Sequence, residues 1–238
     1  MRGESMLGQI ILSPAARRTT FTRQQQLGLT LLTATLPAGA WGSAWRLKRA
    51  AGHLRKSGVR QVVTGPEFAH WPMLAARGLS PVQTESFLQA MAPSLALAAL
   101  NAQGIPPRAA TICLAGRRAD YAMTRAAEAL CLRVRRLAIC APAGGRALGE
   151  MLRREYGLPL LERWDDAALT VWFSPPPGEV EEGSLVLAAP RPDLAGLALR
   201  PRDGAPGETQ PPLPLLAAAW ERGTVSPEEM AVFPEQEA

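Results

Sequence analysis

The sequence predicts an α/β protein: a doubly wound parallel sheet preceded by a small mixed α/β lobe. Three observations predict it. From Ala110 onward, short continuous apolar runs alternate with amphipathic stretches, as parallel strands covered by helices require. The first 80 residues instead read strand, strand, helix, strand. The chain has 238 residues and is 47% hydrophobic, enough for one large core or two modest ones. No internal repeat is visible.

Each element has its own signal. Residues 6–13, MLGQIILS, alternate enough for a first strand, and Pro14 ends it. RRTTFTRQQQ is polar and reads as a turn or an edge segment. LGLTLLTATLP is a second strand stopped by Pro37. AWGSAWRLKRAAGHLRKSG reads as a helix with Ala44, Leu47, Ala51 and Leu54 on one side. Arg46, Arg49, His53 and Lys56 share the other side, Trp41 and Trp45 flank them, and Gly58 is the stop. VRQVVTG is a short strand. A long helix follows to Gly104, with Ser80 as N-cap, Pro81 at its first position and Gln83 completing a capping box. Phe87, Met91, Leu95 and Ala99 form its packed face, and Pro93 predicts a kink or break.

TICLAG is the next strand, with a helix over 120–132 capped by Asp120. Met123, Ala126, Ala127, Leu130 and Cys131 form that helix's apolar stripe. RLAICAP, LPLLE, ALTVWFS and SLVLAA are further strands, and GRALGEMLRREYG is the second helix of the series. Residues 200–212 are rich in Gly and Pro and read as a mobile loop. LPLLAAAWERG is a last helix. SPEEM begins another turn, with Ser226, Pro227 and Glu229 at capping positions, and the tail is expected to fray.

Composition narrows the classes. No apolar run reaches membrane-spanning length, and the N-terminal apolar stretch is too short for a signal-peptide core, so a cytoplasmic protein is expected. Three cysteines without CxxC or Cys/His spacing point to core thiols in a reducing compartment and to no metal. The net charge is +5, and every basic residue except Lys48 and Lys56 is arginine. An anionic partner would suit that balance. The arginines read as spread along the chain, however, with no aromatic-interleaved basic stripe and no specific nucleic-acid motif. The sequence therefore favours solvated faces.

Four segments could carry chemistry. In AGRRAD, the turn after TICLA, Gly116 is followed by Arg117 and Arg118. Gly144 and Gly145 open a second strand-to-helix turn, whose backbone amides could meet an anion. Ser174 begins SPPPG at the carboxyl end of a strand, where doubly wound sheets place ligands. In GPEFAHWP, Glu67 and His70 could act as an acid–base pair lining a cleft. Phe68 and Trp71 of the same loop could equally pack it onto the core.

The order from Thr111 resembles the nucleotide-binding domain of bilobal NAD(P)-dependent dehydrogenases, such as the shikimate dehydrogenase and glutamyl-tRNA reductase families. The helix over 79–104 stands where an interdomain connector stands in them. TICLAGRRADYAMTRAAEAL sits where their phosphate-binding turn sits. ALTVWFSPPPGEVEEGSLVLAAPRPDLAG resembles their fourth strand, loop and fifth strand. The resemblance spans about residues 83–222. The pattern along the chain divides it into a lobe at 1–80, a connecting helix at 81–104, a Rossmann-like domain at 105–200, a Gly/Pro-rich loop at 201–212 and a C-terminal helical segment at 213–238.

The sequence departs from that pattern where the chemistry would lie. A dinucleotide turn needs several glycines for a tight bend and close approach to pyrophosphate. This turn has one, then two arginines, and Asp120 puts negative charge where an anion would bind. The second strand ends ICAPAGG, without the acidic residue that would hold a ribose hydroxyl. Arg117, Arg118 or Arg146 could instead meet a 2′-phosphate, so NADP is the first cofactor to test. Neither the lysine–aspartate pair of shikimate dehydrogenases nor the N-terminal cysteine nucleophile of glutamyl-tRNA reductases maps onto this chain.

The resemblance with its departures implies a dehydrogenase-like Rossmann-fold protein with a degenerate nucleotide site, either non-catalytic or taking an atypical nucleotide or phosphorylated small molecule. One alternative is an active NADP-dependent oxidoreductase that uses the arginine-rich turn. The other is a protein-interaction module that docks a partner on an apolar cleft or on the helix bearing Trp41 and Trp45.

Overall fold

β1 (Leu7–Ser13) is the central strand of a five-stranded sheet. The computed structural model describes residues 6–39, 43–65, 68–157, 160–161, 167–188, 190, 192–203 and 211–235. The polar segment after β1 is an edge strand, β2 (Thr20–Gln26), antiparallel to β3 (Leu29–Pro37). Leu27 and Gly28 connect them, both at positive φ (51° and 71°). That two-residue geometry follows the natural twist of paired strands.

β3 runs parallel to β1 on one side, and β4 (Gln61–Thr64) runs parallel to it on the other. α1 (Ser43–Lys56) connects β3 to β4. Its Leu47, Ala50, Ala51 and Leu54 are buried with Ile10, Leu36 and Val62, whereas Ala44 is exposed. α2 (Trp71–Ala75) leads to β5 (Ser80–Pro81), which pairs with β4. Ser80 and Pro81 are thus strand, not the cap and first turn of the long helix. The Ser80 N–H donates to Arg60 O at 2.9 Å, and that pairing outweighs the local capping signal.

The long helix is α3 (Glu85–Ala102), with Thr84 at its N-cap. It runs on through Pro93 as one helix, where the sequence predicts a kink or break. Its buried Phe87, Leu88, Met91, Ala92 and Leu95 surround that position, so packing holds it. Gly104, at φ 70°, closes its end, with the Ile105 N–H donating to Leu100 O.

The alternating half forms a second, all-parallel sheet. β6 (Thr111–Ala115), α4 (Tyr121–Cys131), β7 (Arg136–Cys140), α5 (Gly145–Tyr156) and β8 (Leu160–Leu161) follow in sequence, then β9 (Leu169–Trp172) and β10 (Leu185–Val186). The strand order is β10-β9-β6-β7-β8. This is the Rossmann-like order, in which the sheet grows outward from β6 in one direction and then in the other.

Two further strands escape the sequence reading. β11 (Leu197–Pro201) takes in Arg200 and Pro201, expected in the Gly/Pro-rich loop, and residues 204–210 of that loop lie outside the described residues. After α6 (Leu213–Glu221) and the capped turn at Ser226, the expected helical tail becomes β12 (Met230–Pro234), antiparallel to β11. Both are five residues long, and alternation is hard to see over so few positions.

The chain divides into two units. Residues 1–83 and 211–225 form the first, and residues 84–210 and 226–238 the second. α6 therefore belongs to the first unit, with Leu215–Ala219 buried. α3 belongs to the second, packed on α4, β9, β11 and β12.

Candidate functional site

In the second unit, strand order reverses between β6 and β9. An open α/β sheet splits its connecting loops at that point and leaves a crevice at the strands' carboxyl ends. Gly116, Arg117 and Arg118 follow β6, and Ser174 lies two residues beyond β9.

The backbone there is closely tied. Gly116 N–H donates to Cys140 O (3.0 Å), Ala119 N–H to Ala143 O (2.8 Å), and Ala143 N–H to Arg117 O (3.4 Å). The turns after β6 and β7 thus continue the pairing of the two strands past their ends. Arg117 N–H donates to Ser174 Oγ at 2.9 Å, which joins the two sides of the crevice. Phe173 N–H in turn donates to Ala115 O, and Gln89 of α3 donates to Phe173 O at 3.1 Å.

At the start of α4, Asp120 is the N-cap, its Oδ1 accepting from Met123 N–H at 3.0 Å. This is the anionic cap expected from the sequence, and it places a carboxylate at the positive end of the helix. A Cβ on Gly116 would stand 3.0 Å from Met123 Cε and 3.5 Å from Phe173 Cβ. The close neighbour is the flexible end of Met123, which faces Gly116 from α4. The Arg117 and Arg118 side chains are exposed.

The second turn has similar local constraints. Gly144 has φ 81° and is the N-cap of α5. Gly145 is buried, and its N–H donates to Ala141 O at 3.1 Å. Both glycines thus have backbone or packing reasons to be present. Arg146 pairs with Glu150 at 2.9 Å along the exposed face of α5.

Glu67 lies outside the described residues. His70 is exposed, and its ring meets Phe68 edge-on at 5.7 Å. Phe68 lines a mostly apolar pocket of about 380 Å³ with Ile11, Leu12, Val63 and Gly65, at the carboxyl ends of β1 and β4. His70 is not among its lining residues. Trp41 is also outside the described residues.

The thiols are buried or half-buried. Cys113 donates to Cys140 across β6 and β7, Sγ to Sγ at 3.2 Å. That bond, with burial, raises the Cys113 pKa above the ordinary thiol range. Burial also pushes Cys131 up to about 11. Among the described residues no group of His, Cys, Asp and Glu could hold a metal, and no helix is long and apolar enough to cross a membrane.

No family model and no curated protein matches the chain. Solved structures show loose likenesses. One is the catalytic subunit of M. jannaschii aspartate transcarbamoylase, at 10% identity and a TM-score of 0.29, covering 71% of this chain and 60% of that one. A shikimate 5-dehydrogenase-like protein is 12% identical at a TM-score of 0.26, covering 72% and 66%. Shikimate dehydrogenase from Aquifex aeolicus is 11% identical at 0.29, covering 78% and 79%. The chain thus spans less than two thirds of the first two proteins. Superpositions this loose carry no argument, and the fold stands on its own strand order.

A second region lies in the first unit, on the helix whose Arg49, His53 and Lys56 the sequence places on one face beside Trp45, with Lys48 and Arg77 added by the structure. The exposed face of α1 bears a trough of about 530 Å³, lined by Trp45, Lys48, Arg49, His53, Lys56 and Arg77. Gly52 leaves its floor bare: a Cβ there would lie 3.9 Å from Arg77 Nη1. The Arg49 guanidinium sits 5.5 Å from the Trp45 ring centroid. Phe21, from β2, brings its ring centroid within 4.1 Å of that of His53. The signal was present as charge segregation. Residues 1–83 hold eleven Lys and Arg against two acids, Glu4 and Glu67, whereas residues 84–238 hold fifteen against nineteen. The even spread of arginine read from the sequence conceals this split.

Proposed function

We propose that the second unit is a Rossmann-like shell closed to dinucleotides, and that the chain has no NAD(P)-dependent oxidoreductase activity. The hydrogen bond from Arg117 N–H to Ser174 Oγ carries this reading. A dinucleotide site offers free backbone amides and a positive helix end to pyrophosphate. Here the amides of Gly116, Arg117, Ala119 and Met123 already have protein acceptors, and Asp120 supplies the negative charge at α4. Admitting pyrophosphate would break these bonds and set it against a carboxylate. Arg117 and Arg118 then serve as solvated surface.

Thermal melts with NADP, NAD and a nucleotide panel at millimolar concentration test this. A ligand present at a hundred times its Kd stabilises by about 2.7 kcal/mol. The expected result is an unchanged melting temperature and no hydride transfer. A rise with NADP that disappears in Arg117→Ala or Arg118→Ala overturns the reading.

A further inference from the structure

We propose that the α1 face of the first unit binds single-stranded nucleic acid, with phosphates on Lys48, Arg49, Lys56 and Arg77 and bases against Trp45 and Phe21. The inference is independent of the Rossmann-like turn, since its residues all lie in the other unit.

Charge is the first argument. Four cations line one trough, and among the described residues none has an ion-pair partner. Between residues 6 and 83 no described residue is acidic. The described salt bridges, Arg125–Glu128, Arg146–Glu150 and Arg154–Glu155, all lie in the second unit. Unneutralised clustered cations form an electrostatic footprint for a polyanion.

Aromatic exposure selects among polyanions. Trp45 is 62% exposed and Phe21 37% exposed, both beside the trough's residues. Part-exposed rings among cations are the stacking platforms used for unpaired bases, and here Arg49 and His53 engage the rings of Trp45 and Phe21. A duplex keeps its bases stacked on one another and has no use for them. A membrane surface is disfavoured because the apolar side of α1 is unavailable for insertion: Leu47, Ala50, Ala51 and Leu54 are all at most 3% exposed within the core. The trough's volume of about 530 Å³ is in the range of small-ligand sites, enough for one nucleotide unit with the strand continuing on either side.

Fluorescence anisotropy of the full chain with labelled single-stranded RNA and DNA oligonucleotides, over a salt series, tests the proposal. Four phosphate contacts predict a log–log salt slope of about −3, at about −0.7 per contact for single strands. Lys48→Gln with Lys56→Gln should reduce the slope by roughly 1.4. Trp45→Ala should weaken binding by roughly five- to hundredfold. Arg133→Ala with Arg135→Ala, exposed in the second unit, should change neither. The substituted residues are exposed, and a thermal melt of each variant checks its fold; Trp45→Phe replaces Trp45→Ala if the alanine variant melts early, with weaker binding still expected.

No binding at 50 mM salt overturns the proposal. So does a salt slope that the Lys48/Lys56 change leaves as it was, or an affinity that the loss of the Trp45 ring leaves as it was. Equal affinity for duplex, or tighter binding to phosphatidylserine vesicles than to either single strand, assigns the surface to another anion and also overturns it.

Discussion

At Gly145 a single methyl group decides the fit of a helix on its strand. A Cβ there would stand 3.3 Å from Ala141 Cβ and 3.4 Å from Ile139 Cγ2. Neither neighbour is the end of a long, flexible chain. Gly145→Ala should therefore destabilise by about 1–3 kcal/mol, against the modest gain that alanine brings to an open helix position. A chemical denaturation midpoint that rises instead would refute the packing argument. Cys131 gives a second test. Its folded pKa is about 11 against an ordinary 9.0, raised chiefly by burial. The unfolded thiol ionises first as pH rises, so this contribution to stability is complete below pH 9 and lost towards pH 11. Cys131→Ala should flatten that part of the stability profile. At this scale the sequence revealed Asp120 as a cap because donor and acceptor lie three residues apart. It could not reveal what Ser174 does, because Arg117 is 57 residues away and the bond exists only once β6 and β9 are neighbours.

Among elements, legibility followed length and self-sufficiency. β6, α4, β7 and α5 were readable because each carries its own apolar period and its own stop. β5 was misread because two residues become strand only through their partner, β4. β12 was missed for the same reason, and its role is testable. β11 and β12 pair over five residues, and both pack on α3. Ending the chain after Val225 should remove hydrogen-exchange protection from residues 197–201 and leave that of β1 and β3 intact. Retained protection in β11 would show that the strand stands without its partner. The turns after β6 and β7 were both visible as strand-to-helix turns. That they are joined to each other was not, because Ala119 and Ala143 meet only when β6 and β7 align.

For the whole molecule, the governing feature is the division of charge. The first unit carries nine positive charges in excess, and adding residues 211–225 brings one acid and one base and leaves that balance unchanged. Like charges so concentrated oppose compactness, and salt screens them over about 10 Å at 0.1 M. Raising sodium chloride from 10 mM to 0.5 M should therefore raise the melting temperature of the first unit, as followed by exchange protection in β1, β3 and α1. A fall would mean that the cations are already compensated within the fold. The sequence contained this asymmetry, but a chain-wide total of +5 averages it away.

The path of the backbone has a different consequence. It passes from one unit to the other three times, after residues 83, 210 and 225. Neither unit is a single stretch of gene. A clone of residues 1–83 would lack α6 and its five buried residues, and one of residues 84–210 would lack β12. Such a protein cannot be shuffled as two cassettes: recombination at any one junction delivers an incomplete unit, and exchange of a whole unit needs coordinated cuts at several places.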